Sequence, residues 1–406
     1  MHRMLTLTAA LLVAGPAAAQ VKIGFIDPLT GPFANTGEAG LHHVQATVEA
    51  INAAGGVLGG QKLEVVAFDS MANPQQAQIM LQSATDQGIH FVVQGNGSGV
   101  TAALVAGAEK LWQRSPEKAV LVLNYAAADP ELTNARCSFW HFRFDSNNDQ
   151  KLEALVTHLA SQRSVKAVYI IGQDYVHGQS VSRITKELLK RKRPDIAVVG
   201  DDLHPLGKVK DFSPYASKIK ASGAQAVVTG NWGNDLSLLI KAAKDAGVDA
   251  TFYTYFAGSI GTPTAIGGAG AGHVLQVTEW HPNLAGNRAE AFVNAYDRRY
   301  SSEFWQLRIK TLVEMLARGI DQARSAEPLK VARALEGMHF PGDAGEVWMR
   351  KDDHQIQQPL YISMWEKAGT PGVKYQTEKT GYGFRSVATI PARALELPST
   401  CRMQRP

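Results

Sequence analysis

Short apolar, strand-like runs alternate with amphipathic helical stretches along almost the whole chain, and this alternation limits the fold more than any single motif. Val21–Ile26 reads as a buried strand, and Leu41, Val44, Val48 and Ile51 form an apolar stripe on the helix after it. Further strands are expected at Leu63–Phe68, Ile89–Val93 and Ala119–Leu123. Repeated βα units specify a parallel sheet with helices on both faces. The sequence turns polar around Phe142–Asp149, and the same rhythm then restarts with strands at Lys166–Ile171, Ile196–Val199, Gln225–Thr229 and Thr251–Tyr255. That restart predicts a second α/β lobe. Helices are expected at 286–300, 304–323 and 328–337, with β segments at His273–Thr278, Glu346–Met349 and Leu360–Trp365. The glycine cluster 267–272 precedes a strand, the wrong order for a dinucleotide fingerprint, and reads as a flexible loop.

Two local signals stand out. Asn73-Pro74-Gln75-Gln76 predicts a helix start in which Asn73 caps, Pro74 takes the first helical position and Gln76 reaches back. Phe91-Val92-Val93-Gln94-Gly95-Asn96-Gly97-Ser98-Gly99 runs from a strand through a glycine turn into a helix from Thr101 to Lys110. Glycines keep Cβ atoms away from anything above such a turn, and the helix start offers unpaired N–H groups and partial positive charge. The stretch can cradle a carboxylate or another hydrogen-bond acceptor. It lacks the Lys-Ser/Thr of a phosphate loop and the glycine spacing of a nucleophile elbow.

Residues 1–19 have the form of an export signal: Arg3 in a short positive start, an apolar Leu5–Val13 segment, and Ala17-Ala18-Ala19 before Gln20, so cleavage is expected after Ala19. The apolar segment is too short to span a bilayer, so a soluble, exported protein without direct membrane insertion is expected. The mature 387 residues (406 minus 19) suit two lobes. The formal charge of +4 falls to +3 without Arg3, which gives no reason to expect nucleic acid. The basic run Lys190–Arg193 reads as a solvated helix end. Cys137 and Cys401 have no metal-ligand spacing, and an even count in an exported chain predicts a disulfide, which would pin a C-terminal extension (Ser386–Thr400) back near the polar break. His42, His43 and the Asp201–His204 group read as surface groups, and His177 as a loop residue; no metal site and no cofactor are expected.

Several motifs together resemble the periplasmic solute-binding proteins for branched-chain amino acids, of the leucine/isoleucine/valine type. They are Pro28-Leu29-Thr30-Gly31-Pro32-Phe33 leading to Gly37, and Ala53-Ala54-Gly55-Gly56-Val57-Leu58-Gly59-Gly60 after the first helix. Asp69 with Asn73-Pro74, Ala126-Ala127-Ala128-Asp129-Pro130-Glu131-Leu132-Thr133, Asp174-Tyr175-Val176-His177-Gly178, and Asp353-His354-Gln355 with Pro359-Leu360-Tyr361 continue the match across nearly the whole mature chain. The resemblance implies two doubly wound parallel-sheet lobes joined by three crossing strands, with the ligand between them. The first lobe would be 20–145 plus 278–350 and the second 146–277 plus 351–406.

The same resemblance assigns roles. The loop of Asn96, Gly97, Ser98 and Gly99 would hold a ligand carboxylate, Ser98 matching the family's binding serine, and Ala126, Ala127 and Ala128 would add main-chain groups. Thr36 falls where an aromatic residue often covers the ligand. Tyr175 and Trp232 match cleft aromatics. The family's ammonium-binding acid is replaced at Phe256, and a supporting threonine at Ala128. A buried ammonium without an acid is costly, so the expected ligand is an aromatic or aliphatic carboxylate and not a standard branched-chain amino acid. The expected partners are that small solute and an inner-membrane ABC permease, with the protein acting as a monomer. A ligand-sensing subunit feeding a membrane sensor is the alternative; an enzyme has no catalytic constellation in its favour.

Overall fold

The computed structural model describes residues 20–406, so the expected export signal and its cleavage after Ala19 lie outside the described residues. From the first described residue the chain forms β1 (Val21–Asp27), α1 (Ala34–Ala53), β2 (Leu63–Asp69), α2 (Pro74–Asp86), β3 (Phe91–Gln94), α3 (Ser98–Arg114), β4 (Leu121–Asn124) and β5 (His141–Arg143). The strands make a parallel sheet in the order β2-β1-β3-β4-β5. β3 and β4 are buried on both faces, as parallel strands under helices must be. The Asn73 side chain accepts from the N–H groups of Gln75 (2.8 Å) and Gln76 (3.0 Å), with Pro74 opening α2 as expected.

The second series is α4 (Asn148–Ser161), β6 (Ala167–Gln173), α5 (Val176–Lys192), β7 (Ala197–His204), α6 (Ser213–Ala221), β8 (Ala226–Thr229), α7 (Asn234–Asp245), β9 (Thr251–Thr254), α8 (Thr262–Ile266) and β10 (Val274–Thr278). Three helices follow, α9 (Glu290–Tyr300), α10 (Leu307–Ala323) and α11 (Pro328–Leu335), then a small antiparallel sheet of β11 (His339–Gly342), β12 (Gly345–Met349) and β13 (Ile356–Gln357). β14 (Leu360–Lys367) and β15 (Tyr382–Ile390) then extend the second sheet antiparallel, giving the order β15-β14-β10-β9-β8-β6-β7. The fold is the two-sheet α/β architecture expected from the βα rhythm.

Each sheet has its own core. Ile309, Leu312, Leu316 and Val331 of α10 and α11 pack with Phe25, Val92 and Val122 in the first, while Leu155, Val181, Leu239, Ile362 and Trp365 pack in the second. The chain passes between the lobes after β5, after β10 and between β13 and β14; Ile356 belongs to the first core and Leu360 to the second. Cys137 and Cys401 are joined by a disulfide. The tail leaves the second core at Leu395, and its last residues lie on the first lobe. There Ser399 Oγ donates to Thr133 O (2.8 Å), and Arg405 Nη2 donates to Lys351 O (2.7 Å).

Several expectations need correction. His43 and His204 are not surface groups: both are fully buried, His43 among Tyr296, Phe304 and Trp305, and His204 bonded to Asn231 Nδ2 at 2.8 Å. Burial pushes the His43 imidazole down to about 3, so it packs as a neutral ring. His177 sits in the first turn of α5, not in a loop. The extension after the second lobe starts later than Ser386, because residues up to Ile390 are strand β15. The 267–272 cluster carries a short 3-10 turn, Gly268–Gly270, in place of an open loop. In the basic run, Arg193 is tucked in, its guanidinium donating to the carbonyls of Ala160 and Val165 beyond its pairing with Asp195.

Candidate functional site

β3, β4, β6, β8 and β9 all end toward the space between the lobes, where ligands of open α/β sheets bind. A cavity of about 390 Å³, counted with its solvent-open mouth, lies there. The first lobe lines it with Thr36, Gly95, Asn96, Gly97, Ser98 and Ala126, Ala127, Ala128. The second contributes Tyr175, His177, Trp232, Gly233, Phe256 and Ser259, while Trp305 and Gln306 close it from the segment leading into α10. Of the residues expected from sequence, Gly99 alone is outside this lining; the other ten share one cavity. Gly95, His177, Gly233, Ser259, Trp305 and Gln306 had not been singled out. His177 stood beside Tyr175 in the matched loop, which was a usable signal; Trp305 and Gln306 carried none.

The first-lobe half is built mainly from backbone. Gly97, at φ 98°, makes the turn into α3, a conformation that disfavours side chains. The N–H groups of Ser98 and Gly99 have no acceptor among the described residues, and neither does that of Ala128. Ser98 Oγ accepts from the Asp129 N–H at 3.2 Å, leaving its own proton to donate into the cavity.

A buried network holds this loop from below. Asp27 accepts from the Asn96 N–H (3.0 Å), from Gln94 Nε2 (3.2 Å) and from the Tyr125 hydroxyl. Burial raises the Asp27 carboxyl to about 7 against the lowering effect of these bonds. A Cβ on Gly95 would stand 2.5 Å from the Tyr125 ring, so this position has no room for one. The neighbouring loop hangs on Arg143, fully buried, whose guanidinium donates to Asp129 O (2.6 Å), Ala127 O (3.2 Å) and Gln355 Oε1 (2.7 Å).

The second-lobe half is aromatic. Trp232 Nε1 donates to Tyr175 Oη at 2.8 Å, and Gln173 Nε2 donates to the Trp232 carbonyl at 3.1 Å, so both rings are held by hydrogen bonds. Phe33 of the first lobe stacks on Trp232 at 4.1 Å between centroids, and Asn234 Nδ2 donates to Pro32 O at 3.1 Å. The mouth is therefore bridged, and the lobes are in a closed arrangement. Phe33, three residues before Thr36, is the first-lobe aromatic at this mouth, stacked on Trp232 and outside the cavity lining.

His177 Nε2 lies 2.9 Å from Gly230 O and Nδ1 lies 3.1 Å from Asn148 Nδ2, which fits one neutral tautomer with both nitrogens engaged. Burial pushes it down to about 4. It has no free lone pair with which to take a proton from Ser98 or a ligand. Among the described residues, no Asp, Glu, Lys or Arg side chain lines the cavity. Behind the lining, Lys151 Nζ lies 5.5 Å from the Phe256 ring centroid and the Arg143 guanidinium donates to Ala127 O.

The sequence model of the family described as "Periplasmic binding protein" matches residues 20–370. The Leu/Ile/Val-binding protein homolog 4 of Brucella abortus is 31% identical over 414 residues, covering 98% of this chain and 97% of that protein. The leucine-, isoleucine-, valine-, threonine-, and alanine-binding protein of Pseudomonas aeruginosa is 26% identical over 385 residues, covering 91% of this chain and 97% of that one. Among solved structures, the similarly named protein of Brucella ovis in its closed conformation superposes with a TM-score of 0.85 at 29% identity, over 96% of this chain and 100% of that one.

Proposed function

The chain belongs to the periplasmic binding protein family, whose members serve ABC transporters, and on that premise we propose that it captures a small carboxylate with an apolar, preferably aromatic, body. One observation carries the ligand class: the cavity combines unpaired N–H donors and the Ser98 hydroxyl on one side with Tyr175, Trp232 and Phe256 on the other, and no acidic side chain lines it. A carboxylate is satisfied by helix-start donors. An ammonium here has no carboxylate to meet it and would carry a desolvation cost of several kcal/mol. Aromatic walls suit a flat or alkyl body.

The lobes close on the solute, and the closed form is what an inner-membrane permease reads. We take the first lobe as 20–145 plus 279–357 and the second as 146–278 plus 358–395, with the tail after Leu395 returning to the first; the expected boundaries at 277/278 and 350/351 move because Thr278 pairs within the second sheet and Ile356 packs in the first core. The protein reaches the periplasm by losing residues 1–19 after Ala19, works as a monomer, and needs no cofactor. A role in sensing uses the same capture step and differs only in the membrane partner. Catalysis has no support in the site, because His177 has both nitrogens occupied and Ser98 Oγ takes a backbone N–H.

A thermal-shift and calorimetric panel of benzoate, 4-ethylbenzoate, hexanoate and leucine tests the ligand class. Stabilisation by the acids and none by leucine is expected. Strong binding of leucine, isoleucine or valine with no response to the acids would place the amine against a group not recognised in this cavity and end the proposal.

A further inference from the structure

A second cavity, about 430 Å³ counted with its opening, adjoins the first, and Phe256, Ser259 and Trp305 line both. It sits where the chain returns to the first lobe after β10, and its wall includes Tyr255, His281, Glu303 and Arg308. Its unusual property is a set of unpaired buried polar atoms, two of which can only donate; Tyr255 Oη and the neutral His281 Nδ1 beside them can serve either way. Arg308 is 2% exposed, and its Nη2 has no hydrogen-bond partner among the described residues; the same holds for Trp305 Nε1 and Tyr255 Oη. A buried donor left unpaired is costly, and the two donor-only atoms on one chamber, Arg308 Nη2 and Trp305 Nε1, point to an acceptor that belongs there.

The charges around the chamber say what kind of acceptor. Arg308 Nη1 lies 3.0 Å from Glu279 Oε1, Arg308 Nε lies 3.5 Å from Asp145 Oδ2, and Lys151 Nζ lies 3.0 Å from the same Asp145 oxygen. Two buried cations thus meet two buried anions, and the cluster is balanced. Burial alone would raise the Glu279 carboxyl, but Arg308 and Lys151 hold it below its ordinary range, so it keeps its charge. Glu303 on the same wall is raised by burial to about 7. A further carboxylate would add an uncompensated negative charge. A neutral oxygen would satisfy the donors and add none.

We propose that the second cavity receives the far end of an elongated ligand, that this end carries an uncharged oxygen acceptor (a ketone, amide or hydroxyl), and that Arg308 Nη2 and Trp305 Nε1 hold it. This rests on the functional reading above, in which the carboxylate of the same ligand lies at the start of α3. The ligand class narrows to acids with a neutral oxygen at the opposite end of an apolar body.

The test is calorimetry with matched pairs: 4-ethylbenzoate against 4-acetylbenzoate, the same pair lengthened by two methylenes between ring and carboxylate, and 4-carbamoylbenzoate against terephthalate. At one of the two lengths, the acetyl acid is expected to bind at least about fivefold more tightly than its ethyl isostere, in line with one or two gained hydrogen bonds. The carbamoyl acid is expected to outbind terephthalate. Trp305→Phe, which keeps an aromatic ring and removes the N–H, should narrow the acetyl-over-ethyl ratio, with the ethyl acid measured on the same variant as the reference for lost packing. Arg308→Lys, which keeps the charge opposite Glu279, should narrow it further. Equal binding of acetyl and ethyl acids at both lengths overturns the inference while leaving the functional reading standing. So does terephthalate binding as tightly as the carbamoyl acid, or a ratio that Trp305→Phe does not change. Failure of every acid to bind sinks the functional reading, and this inference with it.

Discussion

The two halves of the cleft solve different problems. The first lobe presents backbone N–H groups and one hydroxyl on loops fixed from behind by buried polar side chains, Asp27, Tyr125 and Asn96 under one loop and Arg143 under the other. The second lobe presents rings, tied to each other and to Gln173. Backbone donors cannot change by substitution without moving the loop, whereas rings can be exchanged for other shapes. On the proposed function, the first half fixes which chemical group is recognised, and the second fixes which body is attached to it.

The change expected to hurt binding most falls on the first half. Ser98→Ala removes a donor to a charged group, worth about 1.5–3 kcal/mol or roughly ten- to a hundredfold in affinity. It should weaken every acid in a calorimetric series by a similar factor, and an unequal loss would break the division of labour. Trp232→Leu, on the second half, should cost about tenfold for aromatic acids, within the range of aromatic hot spots, and much less for hexanoate. A uniform loss there would mean that Trp232 matters for closure and not for shape.

Tyr175→Phe removes the acceptor for Trp232 Nε1 and keeps the ring; the expected loss is about two- to fivefold, the worth of one neutral hydrogen bond. Trp232 fluorescence should report the freed indole.

The smallest effect is one of slope. Asp27 has a folded value of about 7 against 3.8 when unfolded, so it contributes stability at low pH that is lost as pH rises from about 4 to 7. The buried neutral rings of His43, His141, His177 and His281, lowered by burial to about 3, 3, 4 and 3, act oppositely: their contribution is present above 6.5 and lost as pH falls. Acidification below 6.5 should therefore destabilise the protein. Asp27→Asn should steepen that loss by about one proton in denaturation curves taken between pH 4 and 7. An unchanged slope would mean that Asp27 is ionised beneath the loop.

The alternation of apolar runs made the sheets legible, because strand and helix periods are local properties of sequence. The cap at Asn73 and the turn at Gly97 were legible for the same reason: each is set by two or three neighbouring residues. His43 and His204 were misread because burial is decided by what packs against a residue, and the rings around His43 arrive more than 250 positions later, at 296–305. Trp305 and Gln306 were invisible as cleft residues for the same cause, since α10 reaches the site only after the chain has left and re-entered the first lobe. The matched motifs led to ten cavity-lining residues, nine of them in segments that follow the ends of β3, β4, β6, β8 and β9, and Thr36 in the first turn of α1.

The tail has a mechanical consequence. Leu395 is fixed in the second core, where Gln150 Nε2 also donates to its carbonyl at 2.9 Å, and Cys401 is covalently held by Cys137 on the first lobe. Six residue steps separate these anchors, a span of at most about 20 Å when fully drawn out. The molecule thus has a fourth strap between its halves, not a free end, and unlike the other three this one is closed by a bond that reductant can cut. Four attachments leave a bending motion available while resisting rotation of one half against the other about the long axis. The path of opening is then narrowed toward a single angular coordinate, and cutting the bond should widen the distribution of angles without moving its closed end.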